Sequence, residues 1–342
     1  MIENITSFFR TLILGILVLS MLGGCATTAG ILGVGEKDKD KGQDIARCDA
    51  ESDKKPLARW SAISGILMER TRTAPGQPSS QPQRLRLISP VSVAAQGNDV
   101  FIVDGAQKTI LKYDRATQTI RRYINSPTID MTSQIYLDRA LSTYLTDTRN
   151  SQVRQYDIDG RLVQTFENAS ELPQPGSVVV DDGRSEIFIS DRLTARILVF
   201  NRGGSIIRVI GADVKENALR FQNIIALAMA TNQLYVSDQL DKNVFALAPT
   251  GKLRYKFGDK EIKSPGPVAT DEFNRVYVAD LADNTIKVYR GGEFQTTVGE
   301  PRDPAKLNFQ QISDLWINDG FLYVADAASA SVQILRVVPP CL

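Results

Sequence analysis

Short runs of strand-forming residues alternate with polar turns over residues 84–338, and the alternation recurs. Aligned on an aspartate, the runs read F-I-V-D at Asp104, Y-L-T-D at Asp147, F-I-S-D at Asp191, Y-V-S-D at Asp238, and Y-V-A-D at both Asp280 and Asp326. The intervals are 43, 44, 47, 42 and 46 residues. Three residues before each aspartate stands an aromatic (Phe101, Tyr144, Phe188, Tyr235, Tyr277, Tyr323). Two before it stands an aliphatic (Ile102, Leu145, Ile189, Val236, Val278, Val324), and six after it another (Ile110, Val153, Ile197, Val244, Ile286, Val332).

Successive side chains of a strand point to opposite faces, so adjacent aromatic and aliphatic positions describe a strand covered on both sides. Each copy also has an upstream run such as G-S-V-V-V-D (176–181), and a downstream one such as I-I-R-V-I-G (206–211). Four strands in a period of about 45 residues is the signature of a propeller blade. Six copies predict an all-β, six-bladed propeller.

The stretch V-Y-V-A-D-L-A-D-N-T-I-K-V-Y (276–289) closely resembles the heart of the NHL repeat, V-Y-V-A-D-x-x-N-x-x-I-x-V-Y. The resemblance extends over roughly residues 84–338 and implies the six-bladed propeller of that family, a domain used for binding. It departs in two places. The second copy has a poor first strand around 133–138, and the asparagine beyond the aspartate survives only as Asn150 and Asn284.

A carboxylate at the end of a strand, where the chain turns back, can accept bonds from the backbone N–H groups of the turn. A ring of carboxylates that binds Ca²⁺ or moves protons is the competing use. A catalytic group is needed once and a folding device in every blade, so Asp104, Asp147, Asp191, Asp238, Asp280 and Asp326 are read as structural. No catalytic or metal-binding residue and no cofactor is assigned. The sixth copy lacks a fourth strand before Pro339 and Pro340. The run R-L-R-L-I (84–88) precedes the first copy unpaired, and is expected to supply that strand and close the ring.

Upstream of the repeats the pattern changes. An apolar run, T-L-I-L-G-I-L-V-L-S-M (11–21), ends at Leu22, Gly23, Gly24 and Cys25. It is short for a bilayer span, which needs about 20 apolar residues. It resembles a bacterial lipoprotein signal peptide (1–24), with Cys25 as the acylated residue. Ala26 and Thr27 stand where inner-membrane retention would need an aspartate, which implies the periplasmic face of the outer membrane. Residues 25–83 read as a lipidated tether: E-K-D-K-D-K-G-Q-D (36–44) has no apolar face, and A-P-G-Q-P-S-S-Q-P-Q (74–83) is stiffened by proline. Within it Leu57, Trp60, Ile63 and Leu67 fall at near-helical spacing and predict a short amphipathic helix, packed on the propeller or held for a partner. In an oxidising periplasm the remaining cysteines, Cys48 and Cys341, are candidates for a disulfide.

Composition narrows the function. Forty basic and thirty-nine acidic residues give a formal charge of +1, so no nucleic-acid-binding field is expected. The chain contains no histidine. Ser-His-Asp and Cys-His nucleophiles, histidine-bound zinc and imidazole bases are thereby excluded. The loops entering each first strand, and those after each repeat aspartate, form the face expected to bind. They mix basic residues such as Arg149 and Arg192 with acidic ones such as Asp130, Asp241 and Asp283, which suits a protein partner. The sequence therefore predicts a non-catalytic platform for another envelope protein. A histidine-independent lyase or hydrolase using the central funnel is one alternative; a glycan- or peptidoglycan-binding propeller is another.

Overall fold

A computed structural model describes residues 55–69, 84–211, 219–300 and 307–340. Six sheets form the blades, and in each the repeat strands pair antiparallel and run from the channel outward in chain order, N-terminal strands being added at the outer edges of blades one and six. Blade one holds β4 (Pro90–Gln96), β5 (Asp99–Asp104), β6 (Thr109–Asp114) and β7 (Thr119–Asn125). Blade two holds β8 (Ile135–Leu137), β9 (Thr143–Asp147), β10 (Gln152–Tyr156) and β11 (Leu162–Glu167). In blade three the innermost strand is β12 (Pro175–Asp181), in blade four β16 (Ile224–Ala230), in blade five β20 (Pro265–Thr270), and in blade six β24 (Ile312–Asn318). Contacts run β4 to β8, β12, β16, β20, β24 and back to β4, so the ring is closed.

The repeat residues hold the blades together. All six aromatics that precede the aspartates are buried, as are the aliphatics beside them. Each side chain so buried contributes about 1.5–3 kcal/mol. They pack across seams: Val179 and Phe188 of blade three share a cluster with Leu227 and Val236 of blade four. Blade two is the irregular one. Its first strand has only three residues, in line with the weak pattern around 133–138.

Closure differs from the expectation. The outermost strand of blade six is β1 (Leu57–Ile63), antiparallel to β26 (Ser331–Val337) from Leu57↔Val337 to Ile63↔Val332, with a bulge between Arg59 and Ser61. The segment expected to be helical is therefore extended, and the propeller includes residues assigned above to the tether. The physical reason lies in backbone pairing. A helix of this length is marginal in water, whereas β26 offers a full row of unpaired N–H and C=O groups. Only Ile63 of β1 is fully buried; Leu57 and Leu67 pack half-buried on the core, and Trp60 meets Phe321 with ring centroids 5.5 Å apart. Arg84 and Leu85, expected to close the ring, instead form β3, paired with β2 (Leu67–Glu69), which adds in parallel to the outer edge of blade one. Leu85 and Leu87 insert into the cluster between blades six and one. One N-terminal segment thus laces both sides of that seam.

Candidate functional site

The six repeat aspartates are all at most 1% exposed. Asp280 accepts from Lys263 N and Ser264 N, both at 3.0 Å, and from Ala282 N at 3.1 Å. Asp326 accepts from Gln310 N and Gln311 N, both at 2.9 Å, and from Ser329 N at 3.3 Å. Asp104, Asp191 and Asp238 repeat the pattern. Each carboxylate ties the loop entering its blade to the turn that follows it, a longer reach than the local cap read from the sequence. Asp147 is the exception: it accepts from Asn150 N at 3.2 Å and pairs with Arg154 at 2.8 Å. Among the described residues no three His, Cys, Asp or Glu side chains converge as metal ligands. Cys25, Cys48 and Cys341, the lipidation and disulfide candidates, lie outside the described residues.

The concave site is at the other end of the channel. First strands end opposite the aspartates, and their last residues with the following turns frame a mouth of about 470 Å³. Below it the channel narrows to a throat of about 140 Å³. Five carboxylates line the mouth, and four have partners. Asp138 accepts from Tyr144 Oη at 3.2 Å and pairs with Arg202 at 2.9 Å; Arg202 also holds Asp182 at 2.7 Å. Asp271 pairs with Arg275 at 2.7 Å and accepts from Tyr277 Oη at 2.9 Å. Asp181 pairs with Arg184 at 3.6 Å. Glu272 is exposed, beside the amides of Asn232, Asn274 and Asn318.

The throat has a different chemistry. Its aromatic wall is Tyr136 of blade two against Trp316 of blade six, ring centroids 5.2 Å apart and nearly perpendicular. They meet over β4, where Ala94 and Ala95 leave room, and Trp316 Nε1 donates to Ala95 O at 2.8 Å. Tyr136 Oη donates to Val180 O at 3.2 Å, and burial pushes its pKa upward. Trp316 is half-buried and lines the throat.

Asp314 stands beside this wall. It accepts from the hydroxyl of Ser92, from Val93 N at 3.0 Å and from Leu315 N at 2.8 Å. Desolvation raises its pKa to about 6 despite those hydrogen bonds, which favour the anion. Ser92 in turn accepts from Ile135 N at 3.0 Å, and Ser177 from Leu227 N at 3.1 Å. Ser92, Ser177 and Asp314 therefore each bind a backbone amide of the next blade, a second stitch, around the channel. Ser92 is fully buried, so its hydroxyl cannot reach a substrate although it donates to a carboxylate.

The aspartate-side face carries Ile88, Met131, Leu193 and Leu240, which are 47%, 55%, 62% and 63% exposed. Beside Leu193, Arg192 lies across Gly176 so closely that a Cβ there would sit 2.6 Å from its Nε. That Nε has no hydrogen-bond partner among the described residues, and desolvation lowers the pKa of the guanidinium.

No family model matches the sequence, and no curated protein does. Solved structures match in fold. Virginiamycin B lyase from Staphylococcus aureus aligns over 75% of this chain and 99% of its own, at 12% identity and a TM-score of 0.56. A streptogramin B lyase aligns over 73% and 94%, at 12% identity and a TM-score of 0.58. A protein of unknown function from Bacteroides thetaiotaomicron aligns over 81% and 75%, at 14% identity and a TM-score of 0.61. At such identities the likeness establishes the fold alone: this chain is a six-bladed β-propeller.

Proposed function

We propose that this is an outer-membrane lipoprotein, acylated at Cys25, whose NHL-type propeller holds another envelope protein on its aspartate-side face and catalyses no reaction. The observation that carries the reading is the set of exposed aliphatics at Met131, Leu193 and Leu240, on loops of three successive blades. Leu193 and Leu240 each stand two residues past a repeat aspartate, where the other blades have Ala106, Arg149, Ala282 and Ala328. The turn itself does not require leucine. Grouped exposed apolar side chains amid mixed charge are the makings of a protein interface, and Arg192 supplies a partly desolvated cation for a carboxylate of the partner.

Crosslinking in intact cells, with the native lipoprotein and with Leu193→Asp/Leu240→Asp, tests it. The native protein should give one stoichiometric adduct with an envelope protein, and the double variant should lose it while unfolding at the same denaturant concentration. An adduct unchanged by the substitutions would refute the interface. Palmitate labelling that persists in Cys25→Ser would refute the anchor.

The competing reading, a lyase working in the funnel, draws on the two lyase neighbours. One of them is described as catalytically inactive once a histidine is changed to alanine; this chain has no histidine. Cleavage of a streptogramin by the purified protein would reinstate that reading.

A further inference from the structure

The throat combines features that folding alone does not call for. Of the side chains that line it, Asp314 is the only carboxyl, and none is basic. Two aromatic rings stand beside it, and Met229 of blade four also lines the throat. The six-fold ring of equivalent positions reads Ser92, Gln134, Ser177, Ala226, Pro267 and Asp314. A serine at this level is enough to bind the amide of the next blade, as Ser92 and Ser177 do. Blade six uses an ionisable group for the same bond. A carboxylate has about four acceptor positions, and Asp314 fills three, leaving one for the channel.

We infer that the throat is a binding site for a small organic cation, an alkyl- or aryl-ammonium compound, held by Asp314 and by the faces of Trp316 and Tyr136. The size fits: cavities of about 150 Å³ hold a benzene-sized molecule, and the throat is about 140 Å³. An ammonium over an aromatic face is attracted by the ring quadrupole, most strongly where water is excluded. The mouth carries no net positive charge: Asp138, Asp181, Asp182 and Asp271 are paired with arginines, and the two exposed groups, Arg139 at 3.9 Å from Asp182 and the carboxylate Glu272, are of opposite sign. This site lies inside the channel, between the mouth and the aspartate-side end of the first strands, whereas the proposed protein interface is on loops outside it, and neither depends on the other.

Proton and ligand compete for the same carboxyl. Around Asp314, β4, β12, β16 and β20 present no charged group at throat level, the Asp181 carboxylate lying at the mouth end of β12. Tyr136 on β8 stays neutral, while on the strand paired with β24 (Phe321–Asp326) Tyr323 is bonded to Arg115 and Asp326 to amides of the far loop. Below about pH 6 the affinity should therefore fall, approaching tenfold per pH unit.

The chain has two tryptophans, Trp60 and Trp316. In the Trp60→Phe protein, Trp316 fluorescence reports on the throat alone. Titration with tetramethylammonium and benzylammonium chlorides, against sodium chloride and tert-butanol, should give a saturable change with the organic cations only. Asp314→Asn, which keeps an acceptor for Ser92 and Val93, should weaken binding at least tenfold. The pH profile of the unsubstituted carboxyl supplies the same test without touching Asp314. No saturable response through the millimolar range, an equal response to the neutral alcohol, or affinity independent of pH from 5 to 8 would overturn the proposal.

Discussion

The two ends of the channel solve opposite problems. Around the mouth, carboxylates are matched by arginines behind them, as Arg202 matches Asp138 and Asp182, and the turns joining first to second strands expose no large apolar side chain among the described residues. At the aspartate side the polar groups are turned inward to main-chain amides, and the tips carry Met131, Leu193 and Leu240. A surface whose charges are internally satisfied gains little by covering its rim. A surface of exposed aliphatics gains about 25 cal/mol for every Å² removed from water. That difference is the ground for proposing a macromolecular partner on the broad face and a small ligand in the funnel.

The largest effect expected separates the stitched blades from the irregular one. Asp280→Ala leaves three amides without an acceptor at a fully buried site, those of Lys263, Ser264 and Ala282. At about 1–3 kcal/mol for each unsatisfied buried group, partly relieved by water, a loss of about 3–5 kcal/mol is expected in urea unfolding. Asp147→Ala removes one backbone amide bond, the Asn150 side-chain bond and the Arg154 ion pair, and should cost about 1–3 kcal/mol. Equal losses would show that the entry-loop stitch adds nothing.

These same residues mark what the sequence made legible. A position needed six times announces itself, so the aspartates, the buried aromatics, the blade number and even the weak first strand at Ile135–Leu137 were readable. The closing strand was not. In Leu57–Ile63 the residues at Leu57, Trp60 and Ile63 fit a helical period, but β1 is held by backbone bonds to β26, which leave no side-chain pattern. The throat was illegible for another reason. Ser92, Tyr136 and Asp314 come from different blades, with 222 residues between the first and the last, and meet only because the ring closes. Apart from its aspartate, nothing local distinguishes D-L-W-I-N from any other innermost strand. The one available signal was the aspartate of that run, charged where neighbouring blades have serine, alanine or proline.

Asp314 gives the next effect in size. Its folded pKa of about 6 lies above the unfolded value, so the folded state holds the proton more tightly. Below about pH 4 both states are protonated and no penalty exists. Stability should then decline as pH rises from 4 to 6, by at most about 2–3 kcal/mol, and level off above. Asp314→Asn should flatten that limb of the urea midpoint against pH. An unchanged profile would mean that the throat does not desolvate the carboxyl. Arg202→Ala is expected to cost less, about 1–2 kcal/mol, since Asp138 keeps Tyr144 Oη and the amides of Ala140 and Ser142.

The smallest change expected on folding tests the comparison most directly. Leu193→Ser with Leu240→Ser removes two exposed side chains that touch no core cluster and sit in turns whose geometry the neighbouring aspartates fix. Surface changes away from packing and capping groups stay within about 0.5 kcal/mol, so the urea midpoint should hardly move. The fluorescence of Trp316, inside the channel, should be unaltered as well. If these leucines instead supported the fold, the double variant would unfold measurably earlier, and the division between a face that binds and a face that is merely satisfied would fail. If midpoint and fluorescence hold while the crosslinked adduct disappears, the aliphatic arc has no structural duty, and its exposure is explained by the partner that covers it.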